Sequence, residues 1–333
     1  MAILQERSAL ECTVLFTCAG RRVGLLRLFR RAARTLGVRL RILGTDLLAT
    51  APALQECDAA FKAPPIRHDE YIPYLLGLCR REGVRLVVPL IDHDLPKLAA
   101  ARDAFARAGA LALVSAPEVV EICNDKLLTY QTLCAAGLPV PKTWLPHEVP
   151  AEQPLPLFIK PRRGFGSVHT YRVATQEQLS FFSRYVPDAL VQELATGQEY
   201  SVDAFCDLRG RVLATVSRVR LETRAGEVSK SVTRRHEPLL QVSRLVLEHL
   251  GVVGPATVQA FCDGERVCVT EINPRFGGGA PLSIMAGADL PRLALELALG
   301  REPTPCPSFR EGLVMLRYDE AFYLPEASLP WQA

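Results

Sequence analysis

The first part of the chain alternates short apolar runs with amphipathic helical patterns. Residues 12–18 and 38–43 have the composition of buried strands, and between them Leu25, Leu26 and Phe29 recur at helical spacing. The alternation continues with helices at 69–82 and 94–108 and with strands at 85–90 and 112–114. This β-α-β order predicts a doubly wound parallel sheet in the amino-terminal part of the chain.

The second part of the chain is richer in strands. Ala116-Pro117 marks the boundary, because proline suits the first position of a helix, and Asn124-Asp125-Lys126 opens a helix that is predicted to run to Ala136. A proline-rich stretch at 146–156 follows as a linker. Further strands are predicted at 157–160, 168–173, 190–194, 200–206, 257–262 and 267–273.

The strand at 267–273 carries polar groups that suggest chemistry. Glu271 and Asn273 are two residues apart and therefore share one face of the strand, and Arg275 follows Pro274 at its end. A carboxylate, an amide oxygen and a guanidinium in this order suit Mg²⁺ that carries phosphates. A buried acid that pairs with the neighbouring arginine is the alternative, and these residues alone leave both interpretations open.

A second polar group ends the strand at 157–160. Lys160 occupies the last position and is followed by Gly164-Phe165-Gly166-Ser167. Backbone amides of such a turn can face phosphate oxygens beside the lysine charge. The order of a Walker loop is absent, and an ordinary glycine hairpin is the alternative.

Composition and charge exclude several functional classes. The 333 residues have a formal net charge of +3, so no general polyanion-binding surface is predicted, and nucleic acid is not expected as a partner. The ten cysteines are scattered without metal-binding spacing, which is typical of a reducing cytosol. The first residues lack the order of a signal peptide, and no apolar run is long enough to span a membrane. The sequence therefore predicts a soluble cytoplasmic protein.

Four stretches, in this order, resemble the ATP-grasp superfamily, and specifically ATP-grasp ligases similar to the large subunit of carbamoyl-phosphate synthase. They are Asn124-Asp-Lys126, Phe158-Ile-Lys-Pro-Arg-Arg-Gly-Phe-Gly-Ser167, Val191-Gln-Glu-Leu-Ala-Thr-Gly-Gln-Glu-Tyr-Ser-Val-Asp203, and Val258-Gln259 with Glu271-Ile-Asn-Pro-Arg275. Each motif is loose alone, but all four occur in the order of the family, and the resemblance extends over essentially the whole chain, from the β-α-β amino-terminal domain onward.

The resemblance implies a role for each matching residue. Lys126 and Lys160 would hold the ATP phosphates beneath a mobile loop that includes Gly164, Gly166 and Ser167. Glu193 and Leu194 would present backbone groups to adenine, and Glu199 would bind the ribose hydroxyls. Gln259, Glu271 and Asn273 would coordinate Mg²⁺, or Mn²⁺ in its place, and Arg275 would be catalytic by neutralising charge on the transferring phosphoryl group and the acyl intermediate.

The resemblance also implies a fold. The chain would be α/β, with an α+β carboxyl-terminal part. A doubly wound domain at 1–116 would precede an ATP-grasp domain at 117–333. Within the latter, a small mobile lid at about 145–191 would precede an antiparallel-sheet catalytic part at about 192–333.

The implied function is an ATP-dependent carboxylate–amine ligase that forms an amide or peptide bond through an acyl phosphate and releases ADP and phosphate. A phosphotransferase, a carbamoyl-phosphate-synthase-like subunit and an ATP-binding protein without turnover are the alternatives. A complete large subunit contains two such units, whereas 333 residues correspond to about one. The substrates would be a small carboxylate and an amine, and a homodimer stays open.

The sequence also predicts two features of the second part. Six basic residues crowd one segment beside the expected site, which predicts that at least one substrate is an anionic carboxylate, with a solvated hairpin as the alternative; they are Arg218, Arg220, Arg224, Lys230, Arg234 and Arg235. For Gln259 to share a face with Glu271, the hairpin between them needs an odd residue. A three-residue turn over 262–264, or another bulge of the same parity, with positive φ at Gly264, meets this requirement.

Overall fold

The computed structural model describes residues 10–164, 166–224 and 226–331. The start of the chain, on which the prediction about a signal peptide rests, and Phe165 of the predicted lid loop lie outside these ranges.

The chain forms two compact units. The first contains the residues up to Val114 together with 289–305 and 319–333, and the second contains 115–288 and 306–318.

The first unit contains a five-stranded parallel sheet in the order β3-β2-β1-β4-β5, as the alternating pattern predicts. Phe16 of the central strand meets Phe29 of the first helix edge to face, with ring centroids 4.9 Å apart. The strands are β1 (Leu10–Thr17), β2 (Val38–Asp46), β3 (Ala59–Lys62), β4 (Leu86–Pro89) and β5 (Leu111–Ala112). The helices are α1 (Val23–Thr35), α2 (Tyr71–Glu82), α3 (Leu95–Ala100) and α4 (Arg102–Arg107).

The single helix predicted at 94–108 is wrong in one respect, because α3 and α4 are separate. At the break, the Ala101 N–H donates to the Leu98 carbonyl at 3.1 Å, which tightens the last turn of α3.

The second unit begins with two helices and a four-stranded antiparallel sheet in the order β6-β9-β7-β8. Leu157, Ile159 and Val191 are buried between this sheet and its helix, against which Tyr171 stacks on Phe182. The elements are α5 (Pro117–Asn124), α6 (Lys126–Ala135), β6 (Thr143–Trp144), β7 (Leu157–Pro161), β8 (Tyr171–Val173), α7 (Gln176–Tyr185) and β9 (Ala189–Glu193).

The same unit contains a six-stranded antiparallel sheet in the order β14-β13-β10-β11-β12-β15. Its strands are β10 (Gln198–Cys206), β11 (Val212–Arg224), β12 (Glu227–Thr233), β13 (Gly254–Asp263), β14 (Arg266–Asn273) and β15 (Val314–Leu316). The helices α8 (Glu237–Leu250) and α9 (Ala280–Met285) belong to this unit, and α10 (Leu290–Ala298) returns to the first unit.

Candidate functional site

A cavity of about 300 Å³ in the second unit is lined by residues of both antiparallel sheets. It brings together most of the residues singled out from the sequence. These are Lys126, Lys160, Gly164, Gly166, Ser167, Glu193, Leu194, Glu199, Gln259 and Glu271. Asn273 and Arg275 are not among the residues that line it.

Lys160 stands on the floor of this cavity. It lies in β7, is only 6% exposed, and its Nζ donates to the Thr270 carbonyl at 3.4 Å. Burial lowers the pKa of Lys160 to about 8; the charge of Lys126 acts in the same direction, whereas that of Glu271 opposes it. Two lysine ammonium groups, one of them buried, therefore line the same cavity. This arrangement is electrostatically suited to an anionic ligand.

Lys126 is tied to the glycine-rich loop through its neighbour Asp125. The Asp125 carboxylate caps α6 by accepting the backbone N–H groups of residues 127 and 128, at 3.0 and 3.1 Å. It also accepts from Arg162 Nε at 2.8 Å and pairs with Arg163 at 3.1 Å. Lys126 Nζ donates to the Gly164 carbonyl at 2.7 Å. The cap therefore fixes Lys126 against the loop that follows β7.

The connection from β9 to β10 forms another wall. The Glu193 N–H donates to the Lys142 carbonyl at 2.9 Å, and the Glu193 carboxylate accepts from the Lys142 N–H at 3.2 Å. Because its N–H is already bonded, a donor to a nucleobase at this wall would come from Leu194 instead.

Glu199 has a partner in Arg220, which the sequence places in the basic segment beside the expected site but does not pair with Glu199. Arg220 lines the cavity and forms an ion pair with Glu199, and its Nη2 donates to the Gly226 carbonyl at 3.3 Å. The sequence names Arg220 only as one of several basic residues, and the pairing with Glu199 follows from the register of β10 and β11.

The hairpin of β13 and β14 presents the predicted metal ligands on one face. Gln259 pairs directly with Glu271, and Thr257 pairs with Asn273, so these side chains project to the same side of the sheet. Gln259 and Glu271 are half-buried at the cavity, and Asn273 is buried one pleat further along.

The turn of this hairpin differs from the predicted three-residue turn over 262–264. Asp263 pairs with Arg266 across a two-residue turn at Gly264-Glu265, and Gly264 has the predicted positive φ, at 60°. The odd residue is Thr270, which is bulged because Ala260 pairs with Val269 and Gln259 with Glu271. The predicted parity is therefore confirmed and the predicted position of the odd residue is wrong.

The donor set on this face fits Mg²⁺ by its chemistry. One carboxylate and two amide oxygens are hard ligands that leave coordination positions for phosphate oxygens and water. Among the residues that the structure describes, no group of three or more histidine, cysteine, aspartate or glutamate side chains is placed to hold a metal. The face at Gln259, Glu271 and Asn273 is a different kind of donor set, because two of its three oxygen donors are side-chain amides.

Arg275 lies beyond the end of β14. Its Nη2 donates to Asn273 Oδ1 at 3.4 Å and its Nη1 to the Phe276 carbonyl at 3.4 Å. The guanidinium is thus held beside the end of the proposed metal-binding face.

The basic segment does not form one substrate-facing surface. Arg218 is 3% exposed and pairs with Asp203, whereas Arg224 and Lys230 are exposed and pair with Glu222 at 3.7 and 2.6 Å. For Arg224 and Lys230 the structure agrees with the solvated-hairpin alternative. Arg218 belongs to the interior.

Gly197, which starts the turn into β10, permits a test of the wall of the site. Its φ is 96°, and an added Cβ would lie 2.1 Å from the Cys262 carbonyl oxygen. We expect Gly197→Ala to destabilise the fold by about 2–4 kcal/mol, from overpacking plus left-handed strain. Gly264→Ala is the matched control, because Gly264 has positive φ and open space, and it should lose only about 1–2 kcal/mol. Urea unfolding midpoints measure both, and equal midpoints for the two variants would contradict the close contact.

Two family models match separate parts of the chain. Residues 185–321 match a family described as ATP-grasp in the biosynthetic pathway with Ter operon, and residues 14–113 match the amino-terminal domain of PylC-like proteins. The comparison with curated proteins finds no match.

Solved structures share the fold over most of the chain. The biotin carboxylase domain of Hydrogenobacter thermophilus 2-oxoglutarate carboxylase, solved as a dimer with MgADP, ADP and bicarbonate, has a TM-score of 0.72 at 16% identity, over 90% of this chain and 73% of that chain. The L-amino acid ligase from Bacillus licheniformis has a TM-score of 0.67 at 19% identity, over 88% of this chain and 75% of that chain. An ADP complex of purK, N5-carboxyaminoimidazole ribonucleotide synthetase, has a TM-score of 0.71 at 15% identity, over 92% and 81%.

These matches confirm the resemblance to ATP-grasp proteins and the fold class drawn from the sequence. At such low identities the solved structures establish the fold alone, which is ATP-grasp with a parallel-sheet amino-terminal part. Within the described ranges, no helix combines the length and apolar character needed to cross a bilayer.

Proposed function

We propose that this chain, an ATP-grasp protein with a PylC-like amino-terminal domain, is an ATP-dependent carboxylate–amine ligase that uses Mg²⁺ or Mn²⁺. The observation that carries the proposal is the single cavity in which Lys126, Lys160, the glycine-rich loop and the Gln259–Glu271 pair meet. The matched solved structures include an L-amino acid ligase and complexes with MgADP, which supports this class of reaction.

Each part of the site would have one task. Lys126 and Lys160 would bind the phosphates, and Gly164, Gly166 and Ser167 would cover them. Leu194 would face the adenine edge, and Glu199 would accept from the ribose hydroxyls while keeping Arg220, since a carboxylate has several acceptor positions. Gln259, Glu271 and Asn273 would hold the metal, which when bound neutralises phosphate charge.

The proposed reaction has two displacements. A substrate carboxylate oxygen attacks the γ-phosphorus, the bond to the β–γ bridging oxygen breaks, and ADP leaves with both electrons of that bond. The amine nitrogen then attacks the carbonyl carbon of the acyl phosphate, inorganic phosphate leaves, and the nitrogen loses a proton. Arg275 would stabilise the charge that develops on the phosphoryl oxygens.

Exclusion of water is the remaining requirement, because an acyl phosphate hydrolyses readily. Gly166 has a φ of 69°, and it packs so closely against the β11–β12 turn that a Cβ on Gly226 would lie 2.8 Å from the Gly166 carbonyl oxygen. This contact, together with the bond from Lys126 to Gly164, would keep the loop closed over the phosphates during the first displacement.

The test is ADP release in the presence of small carboxylates and amines, offered singly and in pairs. We expect little ADP with either substrate class alone and at least about tenfold more with one matching pair, together with an equal amount of phosphate. ADP formed with a carboxylate alone, accompanied by a stable phosphorylated product, would support a phosphotransferase. Tight ATP binding without ADP in any pair would support the non-catalytic alternative. The homodimer and the cytoplasmic location stay predictions.

A further inference from the structure

A buried ion pair that the reaction above does not use lies between two strands of the six-stranded sheet. Arg218 of β11 donates to Asp203 of β10 through Nε at 2.8 Å and through Nη2 at 3.3 Å. Asp203 also accepts from Thr257 Oγ1 at 2.8 Å and from Ser283 Oγ at 2.6 Å. One carboxylate therefore connects three adjacent strands and α9.

The register places this pair on the same face as the proposed metal ligands. Arg218 is opposite Ser201, Ser201 is opposite Gln259, and Gln259 is opposite Glu271. In the neighbouring row, Asp203 is opposite Thr257, which is opposite Asn273. At about 4.8 Å between strands, Arg218 lies roughly 10 Å from Gln259 along the row.

Residues 274–279, which we call the 274–279 loop, lie directly on this ion pair. A Cβ at Gly277 would lie 2.4 Å from Thr257 Oγ1 and 3.1 Å from Asp203 Oδ1. A Cβ at Gly279 would lie 2.4 Å from Arg218 Cζ. The loop needs glycine at both positions because its backbone rests on the side chains of the network. Ser283 binds Asp203 just after the loop, in α9.

The network is poorly explained by stability alone. Buried ion pairs contribute little net stability, and Arg218 Nη1 is buried without a hydrogen-bond partner among the described residues, which is unfavourable. Burial by itself would raise the pKa of Asp203, but the charge of Arg218 and the hydrogen bonds to the carboxylate lower it below its usual range. The Asp203 carboxyl group is therefore ionised at neutral pH, and its position is fixed by four directed hydrogen bonds.

We propose that Asp203 and Arg218 are positioning residues, which hold the 274–279 loop so that Arg275 and the Asn273 amide keep fixed positions at the reacting phosphates. The catalytic part of this inference rests on the proposed ligase function. The structural part, that the pair immobilises the loop, does not depend on it.

The test compares Arg218→Met and Asp203→Asn with Arg211→Met. Arg211 is the matched control, because it pairs with the nearly buried Asp207 through Nε at 2.6 Å, just beyond the end of β10 and apart from the loop. For each protein we would measure amide hydrogen exchange by mass spectrometry, MgADP affinity by calorimetry, and kcat and KM for ATP from ADP release.

We expect the two network variants to exchange at least about tenfold faster in peptides that cover 274–283, with unchanged exchange in β7 and β9. Turnover should fall about 10- to 100-fold, as for other residues that orient groups at a metal site. The MgADP dissociation constant and KM for ATP should stay within about twofold. Arg211→Met should match the wild type in all of these.

Two results would overturn the proposal. Unchanged exchange at 274–283 in both network variants would show that the pair does not hold the loop. A uniform rise in exchange across β10, β11 and β13, with KM and kcat changed together, would show a general structural role. If Arg218→Met fails to fold, Arg218→Lys takes its place, because it keeps the positive charge but lacks the guanidinium group that donates through two nitrogens. The exchange and kinetic comparisons with the wild type are then made with that variant. If the wild type releases no ADP with any substrate pair, the ligase proposal fails, while the exchange comparison still decides whether the loop is held.

Discussion

Glu271→Ala is expected to lower ATP-dependent turnover by about 10²–10³-fold, the loss typical of removing one directed electrostatic contact to the reacting group. Asn273→Ala should have an effect of the same order. Both side chains share the face that Gln259 completes through its direct pairing with Glu271. Removing one of the three proposed oxygen ligands should weaken the binding of the metal ion that would neutralise the phosphates. The reaction should therefore be lost while the fold is kept. ADP release across a magnesium titration measures this.

Glu265→Ala is the matched control for Glu271→Ala, because Glu265 is an exposed acid at the turn of the same hairpin. It should retain wild-type turnover at every magnesium concentration. For Glu271→Ala the magnesium concentration at half-maximal rate should rise, with partial recovery at high magnesium. Near-full activity of Glu271→Ala or Asn273→Ala at low magnesium would remove that residue from the metal site.

The sequence predicted the fold well where local pattern and topology agree. The β-α-β alternation was enough for the parallel sheet, because β1 and β2 each contain a short buried apolar run and α1 between them has one buried apolar face. The break between α3 and α4 was not predictable, since Ala101 is a good helix former and the break is a change of hydrogen-bond partner from one turn to the next.

At the site, the sequence was sufficient to predict which hairpin side chains must share one face of the sheet. It was not sufficient to predict features that depend on tertiary contacts. The need for an odd residue between Gln259 and Glu271 follows from the alternation of side chains along strands. Its position at Thr270 does not, because the neighbouring Val269 N–H donates to Pro139, more than a hundred residues earlier. The prediction of Arg218 as a substrate contact failed for the same reason, since only the strand register reveals Asp203 as its partner.

The pKa of Lys160 leads to a further expected result, on the pH dependence of nucleotide binding. In the free protein this pKa is lowered to about 8, chiefly by burial. Below pH 8 the ammonium is already charged and can meet the phosphates directly. Above pH 8 binding must first take up a proton, so the dissociation constant for MgADP should rise with pH, approaching about tenfold per unit.

Lys160→Met should separate this effect from the other contacts of the nucleotide. At pH 7 we expect it to weaken MgADP binding by about 10- to 100-fold, which corresponds to about 1.5–3 kcal/mol for a hydrogen bond to a charged group. Its affinity should also change less with pH between 7 and 9.5 than that of the wild type, because the group that titrates is gone. Lys62→Met, at an exposed lysine of β3, should keep both the wild-type affinity and the wild-type pH dependence. Calorimetry in buffers of different ionisation enthalpy counts the protons directly: the wild type should take up close to one proton per nucleotide at pH 9 more than Lys160→Met does. Equal affinities and equal proton uptake in the two proteins would place the phosphates away from Lys160.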